Sequence, residues 1–151
     1  MAKRRFRPED ANSLKNAADP NLSPDARRVA FVMAEVDEEK DRLSSSIWVA
    51  ACDGFTTPRR FSEGPADRSP RWSPNGRWLA YLSTPVDKPN GTHVRIAPLD
   101  GGVPVRLGDF PGPISQLAWS PDSSRLAVIC LVGGSDPESV SAQERETKLH
   151  W

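Results

Sequence analysis

One phrase is written three times along this chain. Asn21-Leu-Ser-Pro-Asp-Ala-Arg-Arg-Val-Ala-Phe-Val32 is followed by Arg71-Trp-Ser-Pro-Asn-Gly-Arg-Trp-Leu-Ala-Tyr-Leu82 and by Ala118-Trp-Ser-Pro-Asp-Ser-Ser-Arg-Leu-Ala-Val-Ile129. The Ser-Pro pairs begin at 23, 73 and 120, so the spacings are 50 and 47 residues. Self-similarity at such a period selects repeat architectures, in which each unit buries its apolar face against a neighbour.

The chemistry of the phrase is that of a tight hairpin. Proline presets φ for the first corner, Asp or Asn bonds its own backbone, and Gly supplies the positive φ that reverses the chain. The runs that follow are apolar without alternation: Val29-Ala-Phe-Val32, Leu79-Ala-Tyr-Leu82 and Leu126-Ala-Val-Ile129. Such strands are expected to be covered on both faces, with the recurring Ala admitting a close neighbour. Copies one and three carry Ala26 and Ser123 where Gly is expected. A side chain in the left-handed region costs roughly 1 kcal/mol, so those turns are expected to be reshaped or weaker.

A second set of strands lies between the phrases. Ser46-Ile-Trp-Val-Ala50 leads into Asp53-Gly54, and His93-Val-Arg-Ile-Ala97 leads into Asp100-Gly101-Gly102. Pro58-Arg-Arg-Phe-Ser62 and Pro104-Val-Arg-Leu107 follow these turns as polar edge strands. Four strands per roughly 47 residues is the pattern of a propeller blade. The expected fold is all-β: a partial β-propeller of about two and a half four-stranded blades with a short N-terminal helix. The divisions are an arm and short helix over 1–19, blade 1 over 20–66, blade 2 over 67–114, an incomplete blade 3 over 115–132, and a polar tail over 133–151. The helix is expected from Pro8-Glu9-Asp10 to about Ala17, with acids in its first turn and Asp19-Pro20 ending it. Candidate capping boxes, Ser135 with Glu138 and Ser141 with Glu144, suggest a helix over about 138–149.

Composition narrows the function classes. Twenty Lys+Arg balance twenty Asp+Glu, which argues against a dedicated nucleic-acid binder. The basic cluster Lys3-Arg4-Arg5-Phe6-Arg7 is followed at once by acids and reads as a solvated arm. No apolar stretch approaches the roughly 20 residues of a membrane span, and no apolar segment follows the basic start as in a secretory signal. The expectations are therefore no membrane, no nucleic acid and a cytoplasmic location. Cys52 and Cys130 are too few for a disulfide framework and read as small buried hydrophobes.

The residues supply little chemistry. There is no Gly-x-Ser-x-Gly elbow and no phosphate-cradling glycine loop. His93 and His150 lie in no nucleophile or metal pattern and read as exposed. The acidic run Glu35-Val-Asp-Glu-Glu-Lys-Asp-Arg42 offers carboxylates to a cation, but Lys40 and Arg42 partly neutralise it, so a solvated hairpin tip explains it. Trp72 and Trp119 recur in register, which marks them as blade core rather than a base-stacking platform. The catalytic, cofactor-binding and metal-binding sets are each none, and no cofactor is expected.

The stretch Arg7–Val32, RPEDANSLKNAADPNLSPDARRVAFV, followed by SPRWSPNGRWLAYLS and LAWSPDSSRLAV, resembles the N-terminal propeller of the prolyl oligopeptidase family of serine peptidases. It looks most like the acylaminoacyl-peptidase and dipeptidyl-aminopeptidase-like branch, in which a Pro-Glu-Asp helix precedes the first Asp-Pro-x-Leu-Ser-Pro-Asp-Gly repeat. Relatives usually carry Leu at the position of Ala11 and Gly at those of Ala26 and Ser123. The resemblance covers roughly Phe6 to Val132, and its repeat is shared by other propellers, including the Tol-system periplasmic one. It implies a propeller of about seven blades capping an α/β-hydrolase that carries Ser, Asp and His and cleaves peptides. None of those catalytic positions falls in this sequence. The expected role is a truncated propeller segment that gates peptide access. The alternative is a stand-alone, Tol-like binding module that self-associates or pairs with a partner through open strand edges.

Overall fold

The computed structural model describes Arg7, residues 13–85, 91–108 and 110–131, and the backbone of 142–145. Its organising strand is the apolar run after the second turn. Trp78–Ser83 is buried at every residue, yet its side chains divide by parity. Leu79 and Tyr81 join a core with Ala30, Val32, Ile47 and Val49 on one side. Trp78, Ala80 and Leu82 join a core with Ile114, Leu117, Leu126, Val128 and Cys130 on the other. One strand thus holds two neighbouring sheets.

Three antiparallel meanders result. The first contains β1 (Asn16–Leu22), β2 (Arg28–Asp37), β3 (Arg42–Ala51) and β4 (Arg59–Arg60). The second contains β5 (Asp67–Trp72), β6 (Trp78–Ser83), β7 (His93–Pro98) and β8 (Val105–Leu107). The third contains β9 (Ile114–Trp119), β10 (Leu126–Cys130) and β11 (Ala142–Arg145). The strand β5 packs on β1, β2 and β3, and β9 packs on β5 and β6. This is an all-β, partial propeller.

Several expectations change here. Covering on both faces holds for β6 alone. In β10 the side chains of Ala127 and Ile129, equivalents of Ala80 and Leu82, point away from the second sheet and are exposed. In β2 the opposite parity is left half-buried, at Val29, Phe31 and Met33. The third unit also does not stop at its second strand. Ala142–Arg145 pairs with β10 from Leu126↔Arg145 to Ile129↔Ala142, where a helix was expected. An edge strand with unpaired backbone groups gains ladder hydrogen bonds from a further strand, which outweighs modest local helix signals.

The expected N-terminal helix does not reach Ala17, because β1 begins at Asn16. Asp19 and Pro20 lie inside that strand, at a break in its ladder between Ala18 and Asn21. Ser69-Pro70 makes the same break in β5, between Arg68 and Arg71. Asp19 and Ser69 both have positive φ, 47° and 56°. Proline lacks the N–H a ladder needs, so each pair forms a bulge in the first strand of its sheet. Residues 1–6, 8–12, 86–90, 109, 132–141 and 146–151 lie outside the described residues, and with them the basic cluster up to Phe6, Ala11, Ser135, Glu138, Ser141, His150 and Trp151.

The three repeated turns are one structure. In each, the Ser hydroxyl donates to the Asx side chain: Ser23 to Asp25 at 2.6 Å, Ser73 to Asn75 at 2.8 Å, Ser120 to Asp122 at 2.6 Å. The same oxygen accepts the N–H of the residue that opens the next strand or stands just before it, from Arg28, Trp78 and Arg125 at 2.9, 2.9 and 2.8 Å. The Ser N–H donates to the carbonyl of that residue, at 2.8, 2.9 and 2.9 Å. Serine is therefore the hub, a role that the sequence argument gave to proline and Asx. Ala26 and Ser123 adopt φ of 55° and 63°, beside 70° at Gly76, so these turns are strained but not reshaped.

The tryptophans join units. Trp72 Nε1–H donates to the Asn21 carbonyl at 2.9 Å, and Trp119 Nε1–H donates to the Arg71 carbonyl at 2.9 Å. Asn21 and Arg71 hold equivalent places, so one bond recurs at both seams. The first seam adds Trp72 N–H to Asn21 Oδ1 at 3.1 Å. The second adds Asn75 N–H to Ser123 Oγ at 3.0 Å. A half-exposed ion pair, Arg71 with Asp19 at 3.2 Å, contributes at most about 1 kcal/mol.

Three outcomes follow from these contacts. In urea unfolding, Ala26→Gly raises stability by about 1 kcal/mol. Ser123→Gly gains less, because it also removes the acceptor of the Asn75 N–H; equal gains would show that this bond is idle. Trp72→Phe keeps the ring but deletes the donor to Asn21, and costs about 1–2 kcal/mol by the same measurement. The third outcome is electrostatic. The Ser120 hydroxyl, then the Ser124 N–H and hydroxyl, hold the Asp122 carboxyl down to about 2. Because the folded value is depressed, this turn's contribution is complete above the ordinary carboxylate range and lost as pH falls towards about 2. Carboxyl-carbon NMR shifts should place the Asp122 midpoint there, and Ser120→Ala should move it upwards.

Candidate functional site

A cleft lies where the first sheet passes the chain to the second. The local sequence explains its shape. Ser45 N–H donates to the Pro65 carbonyl at 2.7 Å, and Ser45 Oγ donates to the Asp67 carbonyl at 3.0 Å. These bonds pin the connection after β4 alongside β3, with a parallel bridge between Ser45 and Ala66. Gly64 makes this approach feasible: its φ is 69°, and a Cβ there would stand 2.8 Å from the Ser45 carbonyl oxygen. The Gly64-Pro65 peptide is cis. Arg60 donates to the carbonyls of Ser62 and Glu63 at 2.9 and 2.7 Å, which shapes the wall.

The cleft has a volume of about 520 Å³, within the range of small-molecule pockets. Glu63, Asp67 and Arg95 supply its charged lining, and Tyr81 and Phe61 its aromatic wall. The rings of Phe61 and Tyr81 meet edge-to-face at 6.4 Å. At the mouth, Arg59 sits 5.7 Å from the Phe61 ring centroid and donates to the Leu99 carbonyl at 3.3 Å, spanning the two sheets. Burial pushes the Tyr81 hydroxyl up to about 12, with Asp67 adding to the push and Arg95 opposing it.

Asp67 is only 2% exposed. Its Oδ2 accepts the Gly64 N–H at 2.9 Å, while its Oδ1 has no hydrogen-bond partner. Arg95 Nε is also buried without one. Of three such side-chain atoms among the described residues, two belong to residues that line this cleft. Neither residue stands out as a candidate in the sequence alone. Yet the ladder gave a signal: Asp67 pairs with Ser83 where Ala17 pairs with Met33 and Ile114 with Cys130. A carboxylate at a repeat position that is apolar in the other two copies marks a local purpose.

The residues singled out from sequence are placed separately. His93 opens β7 and is half-buried rather than exposed. Cys130 is buried in β10, but Cys52 is exposed, because β3 ends at Ala51 and Cys52 enters the turn. The acidic run covers the end of β2, the turn and the first residue of β3, and Lys40 pairs there with Asp37 at 3.3 Å. Lys15 reaches Glu35 of the same run at 2.8 Å. Among the described residues no group of three or more His, Cys, Asp or Glu gathers as a metal site. Among them, too, no helix is long and apolar enough to cross a membrane.

No family model matches the chain. It is 32% identical over 138 residues to the uncharacterized peptidase YuxL of Bacillus subtilis, a match covering 91% of this chain and 20% of that protein. The chain thus spans about a fifth of this relative. Among solved structures, the acylaminoacyl peptidase of Pyrococcus horikoshii superposes with a TM-score of 0.67 at 18% identity, over 84% of this chain and 19% of that one. The β-propeller domain of the Trilobed protease from Pyrococcus furiosus gives 0.67 at 18% identity, over 89% and 44%. A puromycin-hydrolyzing peptidase of Mycobacterium tuberculosis gives 0.59 at 23% identity, over 87% and 22%. These solved structures share its fold and the curated relative, a peptidase, shares its sequence, and both agree with the resemblance to an N-terminal propeller segment of the prolyl oligopeptidase family.

Proposed function

We propose that this segment helps a peptidase propeller restrict which peptides reach a catalytic α/β-hydrolase domain. The observation that carries the reading is the sequence match to a bacterial peptidase over 91% of this chain. The open faces agree with it. Ile129 and Leu131 are 39% and 61% exposed beside the third sheet, and Leu22 is 60% exposed on the first. Apolar faces of this kind suit further blades. The substrates are peptides, the setting is the cytoplasm, and catalysis belongs to another domain.

The same open faces support a second reading, a propeller-type binding module that closes by self-association. Light scattering on purified 1–151 separates the two: a defined oligomer favours the module.

The gating reading has a direct test in the protein that carries this segment together with a hydrolase domain. Loosening the first seam with Trp72→Phe should raise kcat/KM for a long, unstructured protein substrate several-fold relative to a short acyl-peptide. An unchanged ratio sinks gating. The separate chain 1–151 should neither turn over the short substrate nor react with a serine-directed fluorophosphonate, and labelling would place the nucleophile here instead.

A further inference from the structure

Two residues that line the cleft between the first two sheets each carry a buried side-chain atom, one acceptor and one donor, that the protein itself leaves unmet. A buried polar atom without a partner is destabilising, and two on residues lining one cavity call for a shared occupant. The acceptor, Asp67 Oδ1, belongs to a side chain that is 98% buried, since only 2% of it is exposed. The donor is Arg95 Nε–H. Arg59 and Arg60 are already engaged, with the Leu99, Ser62 and Glu63 carbonyls.

The complement of a free carboxylate oxygen is an ammonium, and that of a free guanidinium N–H is a carboxylate. Phe61, Tyr81, Leu99 and Val103 add apolar surface around this pair. We propose that the cleft binds a small zwitterion of amino-acid to dipeptide size. Its ammonium bonds Asp67, its carboxylate bonds Arg95, and its side chain lies on the aromatic wall. The volume of about 520 Å³ admits such a ligand. The site lies wholly within 59–104, so it does not depend on any other domain or on the gating role.

The test is calorimetric titration of the full chain with L-alanyl-L-phenylalanine, its N-acetyl derivative and its C-terminal amide. The expected result is saturable binding of the free dipeptide, weakened at least about tenfold by either modification, because each removes one charge-assisted contact. Asp67→Asn should weaken the free dipeptide similarly while retaining an acceptor for Gly64 N–H. Arg95→Gln should abolish the distinction between the dipeptide and its amide. Absence of saturable binding by the unaltered chain overturns the proposal, as does equal affinity for the N-acetyl form. The ligand series on the unaltered chain decides the matter even if a variant fails to fold.

Discussion

A four-stranded sheet whose second strand is apolar on both faces cannot bury itself. That constraint governs the rest of this structure. Trp78–Ser83 satisfies it by lying between two other sheets, with alternate side chains committed to different cores. The outer sheets satisfy it on one side each within the described residues. The recurring indole bond fixes how one sheet meets the next, because a single N–H must reach a single carbonyl. Packing supplies the attraction and the hydrogen bond supplies the register.

The turns protect this arrangement from drift. A serine at the start of each turn bonds both sides of the hairpin and also orients the Asx side chain. The period of a strand is two residues, so a slip of one would turn Leu79 and Tyr81 towards the wrong sheet. The cage of short bonds prevents that slip. It is robust enough to force Ala26 and Ser123 into the left-handed region, where glycine would sit without strain.

The first seam also shows where a repeat departs from its own rule. Asp67 enters a position filled by Ala17 and Ile114 elsewhere, and Arg95 stands where β3 has Trp48. In both cases polar groups replace apolar ones beside a junction between sheets. The result is a cleft with a charged lining and an aromatic wall, distinct from the dry core beneath it. The second seam has no such substitution at Ile114, which is buried among Leu117, Leu126 and Val128.

Much of this was legible in the sequence. The threefold phrase marked the turn positions, the first two strands of each sheet and Trp72 as core, because turn chemistry and strand period are local properties. Trp119, marked alike, is only partly buried. Resemblance in the same residues pointed to the peptidase propeller. Other features waited for the tertiary structure. Asp19-Pro20 reads as a helix stop until its pairing with β2 shows a bulge shared with Ser69-Pro70. Residues 142–145 carry helix-cap signals, yet an open strand edge recruits them. Asp67 in β5 and Arg95 in β7 lie 28 positions apart in the chain and acquire a joint meaning only when β6 pairs with both strands. Local propensity acts over a few residues, whereas a site is made by contacts between distant ones, and those are decided only when the core is packed.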